Sequence, residues 1–215
     1  MSVIFQTPTL KAFSAQIDRR LSSGKGEVNG HTEAAEDYAA DAKELARTPP
    51  ASFSSFDINI TSSTPLTIFL TGATGFLGAY LLRDLLTRPS PQIKVIAHVR
   101  AVDPATALKR VIQTCQAYGV WDPSWASHIT CVTGNLGDPR LGLSEATWNT
   151  LAQEVNIIIH NGALVHWVYP YSNLKPANVQ GTLDILSLCA TGIPKQLSFV
   201  SSTSVLDTEH FVRQS

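Results

Sequence analysis

Gly72, Gly75 and Gly78 carry the clearest chemical signal in the chain. They lie in Thr71-Gly72-Ala73-Thr74-Gly75-Phe76-Leu77-Gly78, between an apolar run rich in β-formers (Ile68, Phe69, Leu70) and apolar residues at helical spacing (Phe76, Leu77, Tyr80, Leu81, Leu85). That order predicts a strand, a glycine turn and a helix. Gly72 permits the tight turn, Gly75 lets a diphosphate approach the backbone, and Gly78 lets the helix pack closely. The helix N-terminus then offers unpaired N–H groups and a positive dipole end to phosphate oxygens. The expected chemistry is dinucleotide binding, with Thr71, Gly72, Thr74, Gly75, Phe76, Leu77 and Gly78 as the candidate contacts; the bland alternative is a structural strand-to-helix turn.

Further candidates fall at the ends of later apolar runs. Arg100 follows Lys94–Val99, where an acidic residue would take a free ribose 2′-hydroxyl; a guanidinium there suits a 2′-phosphate instead. Arg110, further along, is placed to reach the same phosphate, and both also read as solvated surface arginines. Asn135, with Leu136 beside it, follows the next run and could meet the adenine edge. His160-Asn161-Gly162-Ala163 ends the most apolar run, and its small residues leave room for ribose and nicotinamide, so Asn161, Gly162 and Ala163 are candidate contacts. His160 reads as a packed or locally hydrogen-bonded side chain rather than a base. His166 and Trp167 could line a substrate cleft or serve as core. Ser202, in Ser201-Ser202-Thr203-Ser204, could polarise a substrate carbonyl. No Ser-His-Asp elbow and no metal-ligand spacing competes, and no Tyr-x-x-x-Lys follows the fifth run.

The elements that must position these residues alternate. From Leu66 the pattern reads strand and helix by turns. Strands are expected at about 66–71, Lys94–Val99, Ile129–Thr133, Val155–His160 and Leu197–Ser201. Helices are expected after Gly75, from Pro104 to about Tyr118, from Ser144 to Leu151 and from Asn173 to Cys189. The fold class is therefore α/β, a doubly wound parallel sheet of the NAD(P)-binding, Rossmann-like kind, with ligand at the carboxyl ends of the strands. Upstream, Leu10, Phe13, Ile17 and Leu21 share a helical face that one helix cannot bury alone. Ser22–Gly30 reads as a linker, 32–47 as a polar helix with Thr32 as N-cap, and 52–65 as a second linker. The expected division is a helical stub over 1–21, a linker with one helix over 22–65, and the nucleotide domain over 66–215.

Composition narrows the classes. With 215 residues, 44% hydrophobic and 15% charged, the chain suits a globular protein with a sizeable core. A net charge of −1 gives no basic surface for nucleic acid or anionic membrane. No apolar run approaches a membrane span, and the N-terminus is a poor signal peptide. Cys115, Cys131 and Cys189 read as reduced thiols of a cytoplasmic protein.

TIFLTGATGFLG (67–78), VIAHVRA (95–101), IIIHNGALVHWVYPY (157–171), NVQGT (178–182) and FVSSTSVLDTE (199–209) together resemble the thioester reductase domains of the fungal aminoadipate reductase family. These belong to the extended short-chain dehydrogenase/reductases, with carboxylic acid reductases and the terminal reductases of peptide synthetases as broader relatives. FQTPTLKAFSAQIDR (5–19) resembles the closing helix of the preceding carrier domain. The resemblance implies that NADPH reduces an aminoadipyl thioester, borne on a carrier's phosphopantetheine arm, to the semialdehyde in lysine biosynthesis. It implies Ser202 as a donor to the carbonyl oxygen, beside a Tyr–Lys pair expected beyond Ser215 with the C-terminal part of the domain. The carrier serine is expected before Met1, and Asn135 stands where relatives usually have Asp. The isolated chain is thus expected to bind NADPH weakly and to reduce no thioester. A non-catalytic NADP-binding module, or a truncated gene product without activity, is the alternative.

Overall fold

The structure, a computed structural model, describes residues 37–50, 52–54, 61 and 64–206. The expected stub over 1–21, the Ser22–Gly30 linker and the Thr32 cap lie outside the described residues. The chain forms two compact units, Met1–Arg47 and Thr48–Ser215. In the first, helix α1 (Tyr38–Leu45) is capped by Asp37, whose Oδ1 accepts from Ala39 N at 3.1 Å and Ala40 N at 2.9 Å. That satisfies two of the N–H groups a helix start leaves unpaired.

The second unit contains the sheet. Its elements run β1 (Leu66–Thr71), α2 (Phe76–Leu86), β2 (Ile93–Val99), α3 (Pro104–Ala117), β3 (Ile129–Thr133), α4 (Glu145–Glu154), β4 (Ile157–His160), α5 (Tyr171–Lys175), α6 (Gly181–Cys189) and β5 (Gln196–Phe199). A π-helical turn, Pro176–Gln180, joins α5 to α6. All strand pairs are parallel, in the order β3-β2-β1-β4-β5. The order reverses between β1 and β4, which opens a crevice at their carboxyl ends.

Alternation along the strands fills both faces. Ile68, Leu70, Val95, Ala97 and Val99 join Leu82, Val111 and Cys115 in one cluster. Phe69, Ile96 and Ile158 point the other way, against Trp148, Leu151, Ile185 and Leu188. With helices over both faces, the strands read as nearly unbroken apolar runs. The buried face of α2 is Gly78, Ala79 and Leu82, whereas Phe76 and Leu77 are 62% and 42% exposed. Only small residues fit where the helix start meets the glycine turn, so the large side chains turn outward. On α3, the buried residues are Ala107, Val111 and Cys115, while Leu108 and Ile112 are half-buried.

Register sets a polar row across the carboxyl ends. Thr71 on β1 aligns with His98 on β2 and with His160 on β4, and His160 aligns with Phe199 on β5. Thr71, His98 and His160 are all buried.

Candidate dinucleotide site

The turn after β1 has the geometry its glycines call for. Gly72 takes φ +73°, and a Cβ there would lie 2.8 Å from both Asn161 Nδ2 and Gly162 N. Gly75 N donates to Gly72 O at 3.0 Å and closes the turn. On Gly78 a Cβ would meet Gly72 O at 2.1 Å, so this glycine seats α2 on the turn rather than touching a ligand. A Cβ on Gly75 would find only Gly72 O, at 3.4 Å, and would otherwise point into open space. No side-chain hydrogen bond caps α2 at Gly75. The first-turn N–H groups are left for a ligand's oxygens.

A cleft of about 470 Å³ opens above this turn. Gly72, Thr74, Gly75, Phe76 and Leu77 line one wall. Arg100, Arg110, Asn135, Leu136, Asn161, Gly162 and Ala163 line the rest. Of the expected cofactor residues, Thr71 and Gly78 lie beneath the cleft rather than on it. Arg100 is exposed at the end of β2, and the Arg110 guanidinium donates to the Arg100 carbonyl oxygen. Two cations therefore share one end of the cleft with no carboxylate among its lining residues, an arrangement matched to a phosphate. Asn135 donates from Nδ2 to Asp138 Oδ1 at 3.2 Å and accepts at Oδ1 from Gly137 N at 3.4 Å.

The buried polar row organises the opposite side. Thr71 Oγ1 accepts from Gly162 N at 2.8 Å and lies 2.7 Å from His160 Nδ1. His160 Nε2 lies 3.3 Å from Thr182 Oγ1, which donates to Asn178 O at 2.7 Å. That last bond sets every proton in the chain. With its hydrogen on Asn178 O, Thr182 can only accept, so His160 carries its proton on Nε2 and Nδ1 accepts from Thr71. Burial, and repulsion from His98, lower the His160 pKa to about 4, so the ring is neutral near pH 7. Asn178 closes the circuit: its Oδ1 accepts from Leu164 N at 2.7 Å and its Nδ2 donates to Leu164 O at 3.0 Å. The loop carrying Asn161 to Leu164 is thus tied to β1 at one end and to the π turn at the other. Its Asn161 donates from Nδ2 to Gly72 O at 3.3 Å. His160 is a local hydrogen-bonding side chain, as its sequence context suggested.

Ser202 is not brought to the cleft. It lies past β5, exposed, where its Oγ accepts from Ser204 N at 3.2 Å. His166 stacks on Tyr169 at a centroid distance of 3.5 Å, and Trp167 is 97% exposed, so neither is core. Conversely, His98, Gly134, Leu164, Val165 and Ala177 line the cleft without having stood out in the sequence. For His98 a signal existed: it is the one ionisable residue inside the apolar run Val95–Val99. Among the described residues no group of His, Cys, Asp or Glu is placed to hold a metal, and no helix is long and apolar enough to cross a membrane.

Residues 70–214 match the model of an NAD-binding family described as "Male sterility protein". The L-2-aminoadipate reductase large subunit of Penicillium chrysogenum is 49% identical over 223 residues, covering 100% of this chain and 16% of its own length. L-2-aminoadipate reductase of Saccharomyces cerevisiae is 48% identical, covering 98% of this chain and 16% of its own length. The chain thus spans about a sixth of these relatives. Among solved structures, the terminal R domain of the myxalamid PKS-NRPS pathway is 37% identical with a TM-score of 0.64, over 77% of this chain and 43% of that one. The PhqB reductase domain of Penicillium fellutanum is 33% identical with a TM-score of 0.63, over 77% and 42%.

Proposed function

We infer the function from the fact that this chain belongs to the NAD-binding family described as "Male sterility protein": it is the nucleotide-binding part of an NADPH-dependent thioester reductase. The cofactor class of the fold is a nicotinamide dinucleotide. The whole enzyme, in this reading, reduces a carrier-bound aminoadipyl thioester to the semialdehyde in lysine biosynthesis; the relatives' name, L-2-aminoadipate reductase, supports aminoadipate as its substrate. In this reading, 66–215 is the N-terminal part of the reductase domain, 22–65 a linker with one helix and 1–21 the closing helix of a carrier domain that bears phosphopantetheine. The protein works in the cytoplasm, in keeping with three unpaired cysteines.

The observation that carries the reading is the cleft itself, with a glycine turn and an uncapped helix start at one wall and two arginines at the other. Its residues fit the cofactor. Gly75 leaves open space where a side chain would otherwise stand, and the α2 N–H groups face a diphosphate. Arg100, braced by Arg110 at its carbonyl, takes the 2′-phosphate. Asn135 and Leu136 border the adenine, while Asn161, Gly162 and Ala163 border the ribose and nicotinamide. When bound, the nicotinamide supplies hydride for a thioester carbonyl carbon. Ser202, which lies outside the cleft, keeps the role the resemblance gives it, a donor to the carbonyl oxygen as negative charge develops there.

Titration of the chain with NADPH and NADH tests this. NADPH is expected to bind at least about tenfold more tightly, the worth of one charge-assisted hydrogen bond, and Arg100→Ala to erase the preference. Equal affinity for the two dinucleotides in the unsubstituted chain would overturn the assignment.

A further inference from the structure

The segment after β3 contains backbone that its residues resist. Arg140 (φ 53°, ψ 35°) and Leu141 (φ 60°, ψ 22°) lie in the left-handed region, followed by Gly142 at φ +69°. Glycine sits there freely, but a leucine crowds its Cβ against the following carbonyl. Such a conformation persists only where the surroundings over-determine it, and such places cluster at functional sites.

Three contacts over-determine this turn. The Leu141 side chain is fully buried, in the cluster with Phe69, Ile96 and Trp148. Its carbonyl oxygen accepts from His98 Nε2 at 2.9 Å. From α6, Asp184 has its pKa raised by burial, and the nearby N–H groups of Leu141 and Arg140, with the Gln180 side chain, offset part of that rise. Its Oδ2 is buried with no hydrogen-bond partner, a costly arrangement to retain beside a strained turn.

The turn in turn presses on the exit of β3 without slack. A Cβ on Gly134 would lie 2.2 Å from Leu141 O and 2.6 Å from His98 Nε2, and one on Gly142 would lie 2.8 Å from Asn135 N. Any shift of the turn must therefore displace Gly134 and Asn135, and Asn135 and Leu136 line the cleft. Asp184 lines none of it.

We propose that Asp184 and His98 are positioning residues: they hold Arg140–Gly142 in its left-handed form and so set the adenine-side wall, Asn135 and Leu136, for the dinucleotide. This rests on the nucleotide reading given above and extends it to Asp184, outside the cleft, and to His98, whose buried ring lines it.

The test uses 2′,5′-ADP, which carries the adenine half alone, with NADPH alongside. In Asp184→Asn an amide donor replaces one oxygen opposite the two backbone donors. The dissociation constants of both ligands are expected to rise together, about tenfold, in protein whose melting transition remains cooperative. A merely structural Asp184 would lower the melting temperature and leave the affinity of folded protein unchanged; that result overturns the proposal. If Asp184→Asn does not fold, the unsubstituted chain decides. Linkage is reciprocal, so saturating 2′,5′-ADP must slow amide hydrogen exchange at Arg140 and Leu141, and unaltered exchange there overturns the proposal. Absence of any 2′,5′-ADP binding by the unsubstituted chain is a separate result, which defeats the nucleotide reading and this proposal with it.

Discussion

His160 shows how much one buried ring can decide. Its neutral Nε2–H tautomer links Thr71, Thr182, Asn178 and the loop over the cleft, and protonating Nδ1 would set a donor against the Thr71 hydroxyl that now donates to it. The folded pKa, about 4, lies below the ordinary 6.5. A depressed pKa gives stability that is fully present above pH 6.5 and is lost as pH falls through about 4. The shift corresponds to on the order of 3 kcal/mol. Burial pushes His98 in the same direction. Urea unfolding at a series of pH values is expected to show this loss, and His160→Asn, which cannot titrate, to flatten the dependence between pH 6.5 and 4. An unchanged slope in the variant would assign the acid sensitivity elsewhere.

At the scale of elements, the strand–turn–helix unit separates two jobs that its sequence pattern presents as one. Gly78 faces backbone, with an added Cβ at 2.1 Å from Gly72 O, whereas Gly75 faces the cleft. Alanine at position 78 would gain about 1 kcal/mol of helix propensity, but the clash is with main chain that cannot move aside. Gly78→Ala is therefore expected to lose at least about 2 kcal/mol of stability on balance. Gly75 has φ −96° and ψ 171°, which any residue adopts. Gly75→Ala should accordingly keep its unfolding free energy within about 0.5 kcal/mol and weaken NADPH binding instead. Thermal melts and dinucleotide titrations of the pair check both halves. If Gly75→Ala proved the less stable variant, the division of roles would be wrong. The π turn at Pro176–Gln180 serves a comparable purpose further on. Pro176 has no N–H to donate within the continuous helical run, and the widened turn carries Asn178 to Leu164.

At the scale of the whole molecule, β5 ends the sheet among the described residues. Among these residues β5 pairs with β4 alone, and Ser198 and Phe199 are exposed. An edge of unpaired N–H and C=O groups is a template for pairing with another chain. Sedimentation velocity is expected to show concentration-dependent self-association, which Ser198→Lys reduces by placing charge on that edge; a monomer at every concentration would rule this route out. What was legible in the amino-acid order was what neighbours in the chain decide. Gly72 takes positive φ because its turn demands it, Pro104 and Ser144 start helices, and Ile68–Leu70 alternate their side chains between two faces. These are short-range steric and periodic facts, and they suffice for the parallel sheet and for most of the cleft. What only the tertiary structure decided involves partners far apart in the chain. His98 and Asp184 meet at a turn around Leu141, and His160 takes its tautomer from a hydroxyl on α6. Nothing near Leu141 in sequence announces a left-handed leucine, because the forces holding it come from β2, from α6 and from the core. Phe76 and Leu77 make the same point: helical spacing reports which residues share a face, while contact with the rest of the fold buries Gly78, Ala79 and Leu82 and leaves these two on the cleft.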